Sequence, residues 1–417
     1  MDLIEFEEKK EKAVLVCVDM GLYDADSSLD ELEELTKTAG AEVVARVTQK
    51  RDKPDSAYYI GTGRLDELKT FCEDNECDLI IFDGELTPSQ LRNVEDYTDV
   101  RVIDRTTLIL DIFAGRARTN EGKLQVELAQ LKYTLPRLSG KGIQLSRLGG
   151  GIGTRGPGET KLESDRRHIR RRIASISAEL EKVESRRNDL RKRRKKDGIP
   201  TVAIVGYTNA GKSTLMNALT EAGVLAEDKL FATLDPTARG LDLPDGRRVM
   251  LVDTVGLVRR LPHHLVEAFK STLEEAVVAD VILNVCDASS DECSEHLRVT
   301  DDLLQSLGCM GKPIISVMNK CDKVENIYDL PTIGKVVLIS ALKKQGLDKL
   351  LESIQGELEP TRRRAELLIP YSAGDVAAKF RNDGVVEEEE YRADGLYLKL
   401  IADIYMLDRY KDYIIQS

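Results

Sequence analysis

The chain predicts an α/β fold: a small parallel α/β domain with a helical hairpin, a larger α/β domain built around a phosphate-loop motif, and a small C-terminal α+β domain. Three observations predict it. Short apolar runs alternate with helical patterns in the first 115 residues and again from about residue 200 to 360. Between those regions, two long stretches carry apolar residues at helical spacing around a glycine-rich segment. Beyond residue 360, a short helical pattern is paired with two alternating runs. The division is therefore 1–115, 116–197, 198–360 and 361–417, and 417 residues suffice for several hydrophobic cores.

The first region opens with the apolar run Ala13 to Val18, a helix near Leu29 to Thr38, and a run from Glu42 to Val47. A helix from Arg64, the run Asp78 to Phe82, a helix from Pro88 and the run Val100 to Ile103 follow, and this order implies a parallel sheet. Gly61-Thr62-Gly63 is read as the turn into the helix at Arg64, not as a second phosphate site. After Ala114, Leu124, Leu128, Leu131 and Leu135 recur at intervals of four and three, and a second stripe runs through Ile169, Ile173, Ile176, Leu180 and Val183. The segment Ser139 to Gly158 between them is too rich in glycine for regular structure. Two antiparallel helices with facing stripes, joined by a basic loop, are the simplest arrangement. Arg186 to Lys196 ends the second helix and Gly198-Ile199-Pro200 breaks it. Pro360 and Arg362-Arg363-Arg364 are read as a further joint, followed by a short helix and the runs Val385 to Tyr391 and Leu396 to Leu400.

Composition narrows the function classes. With 41% apolar and 32% charged residues the chain reads as a soluble globular protein. Met1 to Lys12 lacks the apolar core of a signal peptide, and Val277 to Cys286 is interrupted by Asp280 and too short to span a bilayer, so a cytoplasmic protein without a membrane partner is expected. Seven scattered cysteines with no C-x-x-C pair read as buried free thiols. The net charge of −12 conceals an uneven distribution: Arg137 to Lys196 holds 19 Lys and Arg against 7 Asp and Glu.

The chemistry concentrates in the third region. Thr201 to Val205 runs into Gly206-Tyr207-Thr208-Asn209-Ala210-Gly211-Lys212-Ser213, and Thr214 continues into a helix. The glycines let the backbone curl so that successive N–H groups face phosphates at the positive end of that helix. Lys212 is expected to neutralise the β- and γ-phosphates, and Ser213 to ligate Mg²⁺. Val249 to Val252 leads into Asp253-Thr254-Val255-Gly256, where Asp253 would hold Mg²⁺ through water and the Gly256 N–H would sense the γ-phosphate.

Ile314 to Met318 leads into Asn319-Lys320-Cys321-Asp322, and a carboxylate at Asp322 accepts hydrogen bonds from the N1–H and the 2-amino group of guanine. Adenine offers neither donor, so GTP and GDP are the expected ligands. Val336 to Ile339 ends in Ser340-Ala341-Leu342, whose Ala341 N–H would meet the guanine O6. Phe231-Ala232-Thr233-Leu234-Asp235-Pro236-Thr237 contains two candidates for a switch threonine; Thr233 is chosen as the Mg²⁺ ligand, and Thr237, after Pro236, is read as a turn residue. Lys212, Thr233 and Gly256 are thus the expected catalytic groups. Leu257 can neither donate nor accept a hydrogen bond, so intrinsic hydrolysis should be slow. A partner, a K⁺ ion ligated by Asn209, or another switch residue is left to supply what it lacks.

With these residues assembled, the chain resembles the HflX family of ribosome-associated GTPases over nearly its whole length. The resemblance rests on Tyr58-Tyr59-Ile60-Gly61, on Gly149-Gly150-Gly151-Ile152-Gly153-Thr154-Arg155-Gly156-Pro157-Gly158-Glu159-Thr160, on Phe231 to Thr237 and on Asp253-Thr254-Val255-Gly256-Leu257. It implies an N-terminal α/β domain with a helical hairpin, a Ras-like G domain and a short C-terminal domain. It also implies binding to the large ribosomal subunit and its rRNA and, for some members, GTP-dependent separation of ribosomal subunits under stress. Two other readings stay open: an assembly factor latched by GTP, in which hydrolysis is incidental, and a GTPase acting on another RNA. A monomer is expected.

The residues add their own account of the partner. Arg137, Lys141, Arg147, Arg155 and Lys161 lie in or beside the glycine-rich loop, and Arg166, Arg167, Arg170, Arg171 and Arg172 open the second helix. Together they read as a surface for RNA phosphates.

Overall fold

The computed structural model describes residues 10–138, 157–196, 199–220, 230–231, 236–260, 270–309, 311–324, 326, 334–358 and 362–416. Its first unit is a parallel four-stranded sheet of order β2-β1-β3-β4, made from β1 (Lys12–Asp19), β2 (Glu42–Lys50), β3 (Leu79–Phe82) and β4 (Arg101–Asp104). The continuous apolar run of β1 fits a strand covered on both faces. Val14, Val16 and Val18 enter one core, while Ala13, Leu15 and Cys17 enter the other. Helix α1 (Ala25–Thr38) begins at Asp24, whose carboxylate accepts from the Asp26 N–H at 3.0 Å. Helix α2 spans Thr62–Asn75 with Gly61 at its N-cap. Helix α3 (Pro88–Thr98) has Pro88 in its first turn and a capping box between Thr87 and Gln90.

A fourth helix, α4 (Arg105–Arg116), was not among the elements expected from the sequence. It buries Leu108, Ile109, Leu110, Ile112 and Phe113. Next come α5 (Asn120–Arg137) and the 40-residue α6 (Pro157–Lys196), which pack against each other through Leu124, Leu128 and Ile176, flanked by Leu131, Ile173 and Leu180. At the far end of α6, Arg187 pairs with Glu121 at 3.0 Å and Arg191 with Glu275 at 2.6 Å.

The central sheet has the order β10-β9-β8-β5-β7-β6. Its strands are β5 (Thr201–Gly206), β6 (Thr237–Asp242), β7 (Arg248–Asp253), β8 (Val281–Asp287), β9 (Ile314–Asn319) and β10 (Lys335–Leu338). All pairs are parallel except β6 with β7, where Thr237 stands opposite Asp253. Thr237 therefore opens a strand and is not the turn residue expected. Among the described residues, four helices accompany this sheet: α7 (Lys212–Thr220), α8 (Lys270–Val278), α9 (Cys293–Ser306) and α10 (Leu347–Glu357).

The last unit is an antiparallel sheet of order β12-β13-β11-β14, in which β13 is Gly395–Asp403 and β14 is Ile414–Gln416. Arg362-Arg363-Arg364 is not a joint but the start of β11 (Arg362–Ile369), which buries Ala365, Leu367 and Ile369 against α11 (Gly374–Asp383). The exposed strand β12 (Val385–Arg392) carries four consecutive glutamates, each paired to an arginine or lysine.

Candidate functional site

The carboxyl ends of β5, β7 and β9 bring the sequence-predicted segments together, as expected for a parallel sheet whose loops gather at one edge. The phosphate loop leaves β5 at Gly206 and enters α7 at Lys212. Gly211 has φ +90°, and a Cβ there would lie 2.3 Å from Asn319 Nδ2, so the backbone shape requires glycine. Asn319 stitches the site: its Nδ2 donates to Ala210 O at 2.8 Å and its Oδ1 accepts from the Ala341 N–H at 3.0 Å.

Lys212 is 6% exposed, and its ammonium donates to the carbonyls of Gly206 at 3.1 Å and Tyr207 at 2.8 Å. Burial lowers its pKa to about 8, against the opposing pull of Asp253. The Ser213 hydroxyl donates to Asp253 Oδ2 at 2.8 Å, so a hydroxyl and a carboxylate oxygen converge on one point, a donor set suited to Mg²⁺. Thr254 is buried and donates to Ile204 O at 2.7 Å. Switch and phosphate loop are clipped together by Thr208 N–H to Leu257 O at 2.8 Å and Leu257 N–H to Gly206 O at 3.1 Å.

On the base side, Asp322 Oδ1 accepts from Ser340 Oγ at 2.7 Å, and that hydrogen bond holds its pKa below the usual carboxylate range. Lys320 sits at φ +62° with its ammonium 2.7 Å from Asp287. Cys321 opens a single 3₁₀ turn through Lys323, and Leu342 is exposed. Asn209 is exposed, with φ +59°.

Phe231, expected beside the nucleotide, instead packs edge-on against Phe113 of α4 with centroids 4.6 Å apart. Leu230, Phe231, Val255, Leu257 and Val258 share one core with the first unit. Ala232, Thr233, Leu234 and Asp235 lie outside the described residues. The same holds for Lys141, Arg147 and Arg155 of the basic loop.

Of the other basic candidates, Arg167, Arg170 and Arg171 are exposed on α6 and Arg166 is half-buried; Lys161 belongs to the same helix. Arg137 faces inward: its guanidinium lies 3.3 Å over the Tyr133 ring and donates to Leu86 O at 3.0 Å. Arg172 is held by both oxygens of Glu127, at 2.6 and 2.7 Å.

Sequence reasoning missed the polar joint between the first unit and the phosphate loop. The Tyr207 hydroxyl donates to Glu31 and accepts from the Arg259 N–H at 2.6 Å, while its ring stacks on His296 at 3.9 Å. Arg259 reaches Glu292 at 2.5 Å. Arg260, at φ +48°, places its guanidinium over Tyr23 and 2.5 Å from Asp83. Asp83 is buried at the end of β3 and also pairs with Arg105 at 2.9 Å. Only the Arg259-Arg260 doublet after the switch hinted at this joint, and nothing local named its partners. Among the described residues no helix is long and apolar enough to cross a membrane.

Three family models match the chain: "GTP-binding GTPase N-terminal" over residues 26–114, "GTP-binding GTPase Middle Region" over 116–194, and "50S ribosome-binding GTPase" over 201–320. The chain is 53% identical to the protein named GTPase HflX of Caldanaerobacter subterraneus subsp. tengcongensis, covering 99% of this chain and 95% of that one. It is 42% identical to the GTPase HflX of Escherichia coli (strain K12), covering 92% of each. A crystal structure of SsGBP in complex with GDP is 30% identical over 83% of this chain and 98% of that one, with a TM-score of 0.48.

Proposed function

Because the chain belongs to the HflX family of GTPases and is a GTP hydrolase, we propose that it binds the large ribosomal subunit in the cytoplasm and couples that association to GTP binding and hydrolysis. The observation that carries this reading is the pairing of a guanine-nucleotide pocket with the exposed arginines of α6. The match of residues 201–320 to a model described as a 50S ribosome-binding GTPase supports the choice of partner.

In this reading Lys212 turns from its backbone carbonyls to the β- and γ-phosphates, and the Gly256 N–H meets the γ-phosphoryl group. Ser213, Thr233 and Asp253 are the residues that would hold Mg²⁺, Asp253 through water. Bound there, the ion supplies positive charge against the triphosphate. Asp322 and the Ala341 N–H read the guanine edge. Asn209 is the candidate ligand for K⁺; equal turnover in K⁺ and Na⁺ buffers would exclude that role.

Sedimentation with ribosomes tests the coupling. The protein is expected to pellet with the large subunit in GTP and in a nonhydrolysable analogue, but not in GDP. Equal pelleting in all three would sink the proposal. Leu257, buried and unable to orient water, favours a second reading in which GTP is mainly a latch during assembly. Single-turnover hydrolysis unchanged by large subunits would favour that second reading over the first.

A further inference from the structure

Thr208 is held firmly at its backbone and left unsatisfied at its side chain. Its N–H is taken by Leu257 O at 2.8 Å. The residue is 6% exposed, yet Oγ1 is buried without a hydrogen-bond partner. Buried hydroxyls are rarely left in that state, because each has lost water and gained nothing. Elsewhere along this site the hydroxyls of Ser213, Thr254 and Ser340 all have protein partners.

The neighbours of Thr208 narrow what the missing partner is, although its methyl and not its hydroxyl lies nearest Gly256. A Cβ built on Gly256 would fall 2.7 Å from Thr208 Cγ2, 3.0 Å from its Cα and 3.1 Å from Lys212 Nζ. Thr208 and Lys212 thus crowd the same side of Gly256, and Lys212 and Gly256 are the two groups assigned above to the γ-phosphoryl end of the nucleotide. The neighbouring Leu257 brings no polar atom in its side chain.

We propose that Thr208 is a catalytic residue whose hydroxyl hydrogen-bonds the γ-phosphoryl group and the water that attacks it, the role Leu257 cannot fill. The proposal rests on the pocket described under the proposed function. In the reaction the water oxygen bonds to the γ-phosphorus as the bond to the β–γ bridging oxygen breaks. The bridging electron pair leaves with GDP, and the water protons pass to inorganic phosphate and solvent. The hydroxyl gains and loses no proton overall: it donates to a γ-phosphoryl oxygen and accepts from the water.

Two full-length variants separate this from simple packing of the Cγ2 methyl against Gly256. Thr208→Val keeps shape and methyl but removes the hydroxyl; Thr208→Ser does the reverse. Single-turnover hydrolysis and titration with fluorescent GDP are measured for both. Thr208→Val is expected to bind GDP within about twofold of the parent and to hydrolyse GTP at least about tenfold more slowly, as for loss of a hydrogen bond made in the transition state. Thr208→Ser should stay within about threefold in both measurements. A parental rate in Thr208→Val, an equal loss in Thr208→Ser, or loss of GDP binding in Thr208→Val overturns the proposal. A Lys212→Ala chain that binds GDP and GTP like the parent would instead overturn the pocket assignment beneath it.

Discussion

Burial pushes the Lys212 ammonium down to about 8 from its ordinary 10.5, with only Asp253 pulling the other way. A triphosphate delivered to that ammonium stabilises the charged form, so nucleotide binding raises the pKa. At pH 7 the free group is already mostly protonated and little changes. Between about pH 8 and 10 the free protein has lost this proton and the complex regains it. Calorimetry near pH 9 in buffers of different ionisation heat should therefore show uptake of about one proton per GDP; no buffer dependence would place Lys212 away from the phosphates. The positions of Lys212, Ser213 and Asp253 were legible in the sequence because each motif is local and each spacing dictates a turn. The side-chain partner of Tyr207 was not, since Glu31 lies 176 residues away.

Elements were legible where one face is wet, or where a short strand is buried on both faces and reads as one continuous apolar run. The stripes of α5 and α6 are apolar on one side, and β1 is apolar from Ala13 to Val18 because helices cover both faces of its sheet. Helix α4 escaped because it buries residues on almost every side, which erases the helical period. The strand β11 escaped because three arginines mask its first half, and its alternation of buried and half-buried residues starts only at Ala365. The joint between β3, α4 and the switch makes a testable claim at this scale. Burial works to raise the Asp83 pKa, but Arg105 and Arg260 outweigh it and keep the carboxylate charged. Asp83→Ala would leave the buried Arg105 with Glu31 and the Arg259 carbonyl, and would take its carboxylate partner from Arg260. Breaking a buried ion pair from one side typically costs about 3 kcal/mol or more, which urea unfolding would register as a lower midpoint. An unchanged midpoint would show that water replaces the lost carboxylate without penalty.

At the scale of the whole molecule, an acidic chain gathers a local excess of positive charge on one long hairpin. Net charge is −12, yet the described arginines of α6 at positions 167, 170 and 171 stand in solvent. If the hairpin and its loop meet six to ten phosphates, the sedimentation described above should weaken by about 10³ to 10⁵ between 50 and 200 mM salt. Salt-insensitive pelleting would assign the contact to other surfaces. The order of units could be anticipated from composition and periodicity, whereas the way the first unit grips the switch could not. That grip depends on Phe113 meeting Phe231 and Arg260 meeting Asp83, pairs separated by more than a hundred residues.

Helix α6 turns this arrangement into mechanics. Forty residues at 1.5 Å each make a rod about 60 Å long, clamped at one end where Arg191 grips Glu275. Pivoting such a lever by about 5° sweeps its distal tip through about 5 Å, roughly one helical pitch. A rearrangement of a fraction of an ångström at the clamped end would be amplified along such a rod into a stroke that a surface dozens of ångströms away could feel.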